Sequence, residues 1–518
     1  MRSDGEPTPN RLTVTELRTD HAVEPLGIDE ARPRFSWKLQ SDRRGVRQKA
    51  YRVTVRIDSD ADGSSAWDSG WVNGADQFGV EYSGAALRSR TRYTWHVQIR
   101  SDDGTEAASE EAHFETAFLS AAEWSAEWLA CVVMSPSVPS PLLRREFSLD
   151  ADIVSARIYV SGMGYYELFV NGTRIGDSVL DPAWTDYHSR VLYATYDVTH
   201  QLTRGPNAIG LALGNGWFQS VPAAVPSQLQ PQVILELHVE LADGQSVRIC
   251  TDRRDEWLAT IDGPVVDNSI YGGETYDARR EIPGWADPGP RFRDTSARWR
   301  RALPAEPPGG VLRAQSLEPI RVVAEMPPTS VRRIGPESHI VDFGQNFAGW
   351  VRVRLAGDSG TAVTLHHAEL VNEDGTVNRV NLRTAAAADR YILAGREPQW
   401  FEPHFTYHGF RFVQVDGYRA DLGEADIVGC IVRSGVEQIG QFESDDELLN
   451  RIHRNVVWTE ASNLHGLPTD CPQRDERLAW LNDMTVRGEQ AVHNFGLARL
   501  YGKWFTDILD TQGPMTGA

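Results

Sequence analysis

The stretch Pro468-Thr469-Asp470-Cys471-Pro472-Gln473-Arg474-Asp475-Glu476-Arg477-Leu478-Ala479-Trp480-Leu481-Asn482-Asp483 crowds acidic and basic groups beside a tryptophan. It stands just past a change of period. Upstream, apolar residues recur at every second position; from about residue 440 they recur at helical spacing. Ser444-Asp445-Asp446-Glu447 reads as a capping box, in which Ser444 accepts from the Glu447 amide and Glu447 reaches back. Leu448, Leu449, Ile452 and Val456 then share one face. A second helix is expected over about 475–495, and a third places Leu497, Leu500, Tyr501, Trp504, Phe505, Ile508 and Leu509 at helical spacing. Three amphipathic helices carry wide apolar faces that need partners. The strands upstream can cover part of that surface, so the expectation is a chain cut inside an all-α domain; the alternative is a small helical cap that closes on itself.

A helix starting near Asp475 would put Glu476, Trp480 and Asp483 at i, i+4 and i+7, on one face. A carboxyl, an indole and a second carboxylate in that arrangement suit glycoside chemistry. A general acid must protonate the leaving-group oxygen, and a carboxyl needs a raised pKa to do so near neutral pH. Apolar burial beside an indole and nearby carboxylates would supply that shift. Asp470 and Arg474 would accept from and donate to sugar hydroxyls. The same residues read equally as a helix start, with Asp470 as cap and Asp475, Glu476 and Arg477 as a solvated first turn that complements the helix dipole. Chemistry alone leaves both readings open.

Upstream of the helices the chain reads as strands. Tyr51, Val53, Val55 and Ile57 alternate with polar neighbours, as do Tyr93, Trp95, Val97 and Ile99. Such alternation marks strands with one buried face, and strands at this density over residues 1–118 predict a fibronectin-like or immunoglobulin-like sandwich. Residues 119–305 continue the pattern, with Ala156, Ile158 and Val160 on one face and Asn171-Gly172 as a hairpin turn. The Pro-rich run Pro304-Ala305-Glu306-Pro307-Pro308-Gly309-Gly310 reads as a linker. A third strand-rich domain covers 306–437, and the helical segment covers 438–518. The fold class is therefore mostly β: three tandem β-sandwich domains followed by helices.

Composition narrows the function. The 518 residues carry a net charge of −20 and 41% hydrophobic residues. An acidic surface repels phosphate backbones and anionic lipid, so neither nucleic acid nor a membrane is expected as a partner, whereas a neutral glycoside fits. Cys131, Cys250, Cys430 and Cys471 are far apart and form no CxxC pair, which argues against a disulfide framework or a zinc site. Met1-Arg2-Ser3-Asp4-Gly5-Glu6-Pro7 has no apolar core of a secretory signal. The expectation is a reduced, cytoplasmic protein without cofactor; the sequence is compatible with a homo-oligomer and does not reveal one.

The run Asp470-Cys471-Pro472-Gln473-Arg474-Asp475-Glu476-Arg477, followed by Trp480 and Asp483, resembles the signature of bacterial α-L-rhamnosidases of glycoside hydrolase family 78. Val170–Asp177, Leu180–Tyr187, Leu213–Phe218 and Tyr271–Arg279 resemble that family's N-terminal β-domain, a jelly-roll akin to carbohydrate-binding modules. Val341–Asn346 and Tyr407–Arg411 resemble its next, concanavalin-like β-domain, and Asp510–Gln512 and Thr516–Ala518 resemble family sequence that continues further. The resemblance implies that the helices begin an (α/α)6 catalytic barrel, incomplete here. It implies a single-displacement, inverting hydrolysis of terminal α-L-rhamnosides, with a rhamnose-containing glycoside or oligosaccharide as partner. Glu476 takes the general-acid role; Asp470, Arg474, Trp480 and Asp483 contact the sugar; Asp475 and Arg477 are structural. The family often carries Gly where this chain has Ala479, whose methyl would tighten packing beside Trp480. The general base is expected on a later part of the barrel, outside this chain, so the 518 residues alone are expected to be inactive or nearly so.

Other signals are weaker. Asn215, Trp217, Glu274 and Tyr276 are candidates for an accessory sugar site, though Trp and Tyr in a sandwich are more often core. Gly357-Asp358-Ser359-Gly360 mimics a serine-protease loop but lies between two strand-like runs, as a turn would. His366 and His367 point to opposite faces of a strand and cannot easily share an ion with Glu369, and His404 with His408 is a second weak metal signal; no metal is expected. Asn171-Gly172-Thr173 is a glycosylation sequon better read as its turn. Two competing functions stand beside the rhamnosidase: a non-catalytic carbohydrate-binding protein of several β-domains, and an (α/α)6 glycosidase or lyase of another sugar specificity.

Overall fold

The computed structural model describes residues 12–58, 65–131, 139–218, 231–254, 256–294, 296–395 and 397–512. The Met1–Pro7 and Thr516–Ala518 readings lie outside them. The chain divides into two compact units, Met1–Trp124 and Ser125–Ala518.

In the first unit the alternation becomes pairing. The strand Gln48–Ile57 runs antiparallel to Arg92–Ser101, with Tyr51 opposite Ile99, Val53 opposite Val97, Val55 opposite Trp95 and Ile57 opposite Tyr93. All eight side chains are buried, in one core with Phe35, Trp37 and Phe114. Three more strands, Leu12–Thr19, Arg34–Ser41 and Val80–Glu81, form the facing sheet. The Trp37 indole, buried between the sheets, donates to Gln48 Oε1 at 2.9 Å, so its polar atom is not left unpaired.

The second unit begins with another sandwich. Ile153–Met163 pairs antiparallel with Gln232–Leu241 in one sheet, and Tyr165–Val170 with Gly205–Gly214 in the other. Ala156, Ile158 and Val160 lie in the core between them. At the expected turn, Asn171 (φ +50°) and Gly172 (φ +79°) both take the left-handed conformation that a two-residue hairpin requires. Next comes a ten-stranded sheet organised on the 18-residue strand Ser338–Leu355, which borders His408–Asp416 and Ile427–Ser434. Its apolar side buries Val341, Phe343, Phe347, Val351, Phe410 and Val413.

Two segments cross the boundary drawn at 305. The hairpin Val265–Ser269 and Gly273–Asp277 joins the ten-stranded sheet, where Thr275 pairs in parallel with Arg390. Val311–Ala314, beyond the Pro-rich run, returns to pair in parallel with Arg190–Asp197. Alternation shows that a segment is a strand with one buried face; it does not show which sheet the strand joins. Parallel pairings join residues over a hundred apart, and no local pattern records them.

Three helices follow: α1 (Glu447–Ser462), α2 (Leu481–Asn494) and α3 (Ala498–Thr511). Their starts correct the sequence reading. Asp446, not Ser444, caps α1 by accepting from the Leu448 amide at 2.8 Å. The second helix starts at Leu481 rather than near Asp475, because residues 470–480 are held by hydrogen bonds to the sheets. Leu500, Tyr501 and Trp504 of α3 pack with Met484 and Ala491 of α2 in a helical core. The α1 stripe is only half covered: Leu448, Leu449, Ile452 and Val456 are 38–65% exposed.

One ionic network locks α3 to the sandwich. Buried Lys503 lies 2.7 Å from Asp507 and donates to the Trp184 carbonyl. Arg190 reaches Asp507 at 2.6 Å and Asp510 at 3.0 Å. Burial pulls the Lys503 pKa down and the Asp507 pKa up, each only partly offset by its partners. Removing one member leaves a buried charge uncompensated. Asp507→Ala is therefore expected to destabilise this docking by about 3–5 kcal/mol, read as a lower midpoint of the first urea transition. Replacing the pair together, Lys503→Met with Asp507→Leu, should recover part of the loss.

Candidate active site

The segment Asp470–Trp480 is an irregular loop pinned at its centre. Arg477 is 0% exposed, and its guanidinium donates to the carbonyls of Ile270 (2.7 Å), Tyr407 (2.7 Å), Arg474 (3.1 Å) and Gln473 (3.3 Å). It also lies 4.7 Å from the Tyr407 ring centroid and 5.4 Å from that of Tyr271. Its φ of +59° turns the chain out of any helical path. Asp470 closes the loop: its amide donates to Leu478 O, and its Oδ1 accepts from Leu478 N, both at 2.8 Å. The Tyr271 hydroxyl donates to the Glu476 carbonyl at 2.7 Å. Beneath the loop, Gly409 leaves room for Pro472 and Gln473; a Cβ there would lie 2.7 Å from Pro472 Cγ and 3.0 Å from Gln473 N.

This loop brings together four of the five expected site residues, by a different route from a helix face. Arg474 donates to Asp470 Oδ2 at 3.1 Å and to Glu476 Oε2 at 2.9 Å. The Trp480 indole donates to Glu476 Oε1 at 3.0 Å, with the ring half exposed at the start of α2. Asp483 sits in the first turn of α2 and makes no hydrogen bond to Asp470 or Glu476 among the described residues. Carboxylate, indole and guanidinium therefore meet, while the shared helix face does not exist.

Two side chains that sequence reasoning missed come from the segment before the strand Ala388–Ile392. Arg383 Nη1 lies 3.1 Å from Glu476 Oε2. Thr384 gives Asp475 Oδ2 both its hydroxyl and its amide, the amide at 3.3 Å. Nothing in the spacing of Asn381-Leu382-Arg383-Thr384 marks it as part of a site. It arrives there because the strand that follows pairs in parallel with Gly273–Asp277, and Ala387 N donates to Tyr271 O at 3.0 Å. Arg383 holds φ +56° and ψ −117°, a combination that costs a non-glycine residue roughly 1–3 kcal/mol.

The electrostatics reverse one expectation. Burial does push the Glu476 pKa up, but the Trp480 hydrogen bond and the Arg474 and Arg383 guanidiniums outweigh it, so the carboxyl lies below its usual range. Asp475 is held low as well, chiefly by Thr384. The sequence reading counted the indole and the carboxylates and missed the second cation. Arg474 bridges the carboxylates of Asp470 and Glu476, so these acids, which with Cys471 bring ligand atoms within 4.8 Å of one another, already hold the protein's own cation.

The histidines sort differently from their sequence pairing. His367, Asp389 and His408, all buried, bring ligand atoms within 4.8 Å. His408 pairs with Asp389 at 3.1 Å, but the two imidazoles stack with centroids 4.1 Å apart and planes 23° from parallel. Lone pairs in nearly parallel planes do not converge on one ion, and the cluster reads as a buried hydrogen-bonded pair under the sheet. His404 instead pairs with Glu274 at 2.9 Å, and the carboxylates around it raise its pKa to about 9 against its burial.

The four accessory candidates do not form one open site. Asn215 is buried and bonds Asn268 through its amide N–H and its side chain. Glu274 is buried and accepts from the amides of His404 and Phe405. Trp217 stacks on Trp184, with centroids 4.6 Å apart, and lines a cavity of about 770 Å³ that Trp480, Trp504, Tyr187 and Phe218 also line. Tyr276 donates to Glu281 at 3.0 Å and borders two cavities of about 360 Å³ each. The four free cysteines are all buried.

Comparison with known proteins agrees along the chain. Residues 14–120 match the family model described as Rha78A-like, N-terminal immunoglobulin domain, and residues 151–324 the alpha-L-rhamnosidase N-terminal domain. Residues 332–433 match the bacterial alpha-L-rhamnosidase concanavalin-like domain, and 437–518 the 6 hairpin glycosidase domain of the same enzymes. An alpha-L-rhamnosidase of Streptomyces avermitilis is 30% identical over 97% of this chain and 65% of its own length. One from Alteromonas sp. is 32% identical over 93% of this chain and 53% of its own. Among solved structures, the alpha-L-rhamnosidase from Dictyoglumus thermophilum is 37% identical with a TM-score of 0.90, over 97% of this chain and 58% of that one. The chain thus spans between about half and two thirds of the length of the relatives it matches.

The close approach at Gly409 generates a test of how the sheet carries the loop. Gly409→Ala is expected to displace Pro472 and Gln473 and to loosen the loop while the sheet core survives. The check is amide exchange over 470–480, which should quicken by an order of magnitude or more, alongside a fall in stability of about 1–3 kcal/mol.

Proposed function

This chain belongs to the bacterial α-L-rhamnosidase family, and from that premise we propose that its 470–483 loop forms one wall of a site that hydrolyses terminal α-L-rhamnosides by inversion. Glu476 is the general acid. The observation that carries this reading is the convergence of Trp480, Arg474 and Asp470 on Glu476 within a loop whose backbone is fixed by Arg477. A carboxyl positioned by an indole and a guanidinium, with a carboxylate one step further along, has what a pyranoside needs. The indole offers an apolar face, and Asp470 and Arg474 offer an acceptor and donors to sugar hydroxyls. Asp483, in the first turn of α2 and three residues after Trp480, is a further contact to the same sugar.

Inverting hydrolysis uses a second carboxylate as base on a water opposite the leaving group, about 6.5–9.5 Å from the acid. We place that base outside these 518 residues. The support is the length of the relatives, of which this chain covers 53–65%, together with the exposed apolar stripe of α1. A chain with the acid and without the base retains sugar contacts and loses roughly two to four orders of magnitude in rate, as for any missing acid–base group.

The test is release of nitrophenol from p-nitrophenyl-α-L-rhamnopyranoside by the folded 518-residue chain, and by the same chain extended with a downstream barrel segment of a relative. Background turnover from the first and hydrolysis by the second are expected, with Glu476→Gln abolishing the latter. Full turnover by the 518 residues would place the base inside them. Activity that survives Glu476→Gln would end the acid assignment. Cleavage of other glycosides in preference to rhamnosides would favour a different sugar specificity on the same barrel.

A further inference from the structure

The Glu476 carboxylate has two oxygens and three hydrogen-bond donors. Oε1 accepts from the Trp480 indole, and Oε2 accepts from both Arg474 and Arg383. A general acid must offer one oxygen, with its proton, to the leaving group. The three donors are not equally replaceable. Trp480 is adjacent to α2 in the chain and is set by its backbone. Arg474 is tied at its other end to Asp470, whose side chain is 3% exposed. Arg383 comes from a different domain, its side chain is 55% exposed, and its one ion pair among the described residues is with Glu476. Arg383 is thus the partner that can leave, which frees one lone pair of Oε2 while Arg474 still holds the other.

We propose that Arg383 is a positioning residue of this site: it clamps Glu476 from the neighbouring β-domain, and the acid is armed by breaking that pair. The proposal rests on the general-acid reading of Glu476. Two features support it beyond the contact itself. Arg383 is held at φ +56° and ψ −117°, an arrangement an exposed arginine has no local reason to adopt and one that directs it at the loop. The contacts also form a row, Asp470 to Arg474 to Glu476 to Arg383, with the most buried side chain at one end and the most exposed at the other. Asp470 and Arg474, two of the proposed sugar contacts, lie toward the buried end, so Arg383 stands at the end from which a leaving group departs. The other charged or titratable groups facing this row are Asp475, fixed by Thr384, the Cys471 thiol, which burial pushes up to about 11, the buried Arg477 below the loop, and the Tyr271 hydroxyl on the Glu476 carbonyl. Among the described residues, only Arg474 and Arg383 bond the Glu476 carboxylate as cations, and both hold it ionised. Loss of Arg383 leaves one.

The sign follows directly. With Arg383 paired, Glu476 gives up its proton at a lower pH than a free glutamate. Without it, the midpoint rises, and the protonated acid persists to higher pH. The readout is the indole N–H resonance of Trp480, which bonds Glu476 Oε1 and is assigned by its loss in Trp480→Phe. Its titration can be followed in the 518-residue chain without any turnover. Arg383→Gln should raise the midpoint by about one pH unit, the low end of what an opposite charge at this distance produces. Arg383→Lys should keep it near the parent value, and Glu476→Gln should abolish the titration. Arg383→Gly removes the side chain while relieving the backbone, and should match Arg383→Gln at equal or greater thermal stability. Coincident midpoints in the parent, Arg383→Gln and Arg383→Gly would overturn the proposal. Methyl α-L-rhamnoside separates the two readings. If it perturbs the Trp480 resonance while Arg383→Gln leaves the midpoint in place, positioning by Arg383 fails and the sugar site stands. If the midpoint moves and the glycoside perturbs nothing, the coupling stands and the rhamnoside reading of this loop fails.

Discussion

A guanidinium with no exposed surface, bonded to four backbone carbonyls, holds this molecule's chemistry in place. Arg477 draws on the Ile270 carbonyl from the turn between two strands, the Tyr407 carbonyl from the approach to another strand, and the Arg474 and Gln473 carbonyls from its own loop. A buried charge without donors' partners would be prohibitive, and each charge-assisted hydrogen bond recovers about 1.5–3 kcal/mol. Two tyrosine rings supply further cation–π contact. The consequence is geometric. Three segments distant in sequence must meet at one point before Arg477 can be buried, and once they meet, the loop on either side has little freedom. Asp470, Arg474, Glu476 and Trp480 owe their mutual distances to that condition.

It also explains what was legible in the sequence. Strands whose faces are decided locally were read correctly: the eight buried side chains of Gln48–Ile57 and Arg92–Ser101, the Ala156–Val160 face, and the turn at Asn171-Gly172. The three helices were visible from their apolar spacing, and α3 within a residue or two of its ends. The start of α2 was not. A helix from Asp475 satisfies local propensity, but Arg477 at positive φ and the Asp470–Leu478 bonds are worth more than the turn of helix they replace. The motif therefore pointed to residues that do meet around Glu476, through a secondary structure they do not adopt.

The remaining misses share one cause. The surroundings of Glu274 and Tyr276, and the arrival of Arg383 and Thr384 at the loop, depend on the parallel pairing of Gly273–Asp277 with Ala388–Ile392. A parallel contact between segments over a hundred residues apart leaves no mark on the periodicity of either. The same pairing brings a second cation to Glu476, which is why its proton affinity moved opposite to the direction inferred from the indole and carboxylates alone.

A Glu476 carboxyl held ionised by its neighbours is consistent with the proposed acid role if the groups that hold it are those that a substrate replaces. The stabilisation of the carboxylate is then a ground-state arrangement, and under the proposed function the energy of breaking it comes from contacts that the substrate makes elsewhere in the site. The alternation of charge from Asp470 to Arg383 makes such an exchange local. Removing the outermost cation leaves Arg474 still bridging two carboxylates, so the carboxyl keeps its orientation while its affinity for a proton rises. A buried acid with no cation would gain the same proton affinity from desolvation, but it would lack that orientation. The structure instead uses a strained, exposed arginine from a β-domain, which ties the protonation of the loop to the packing of the sheet beneath it.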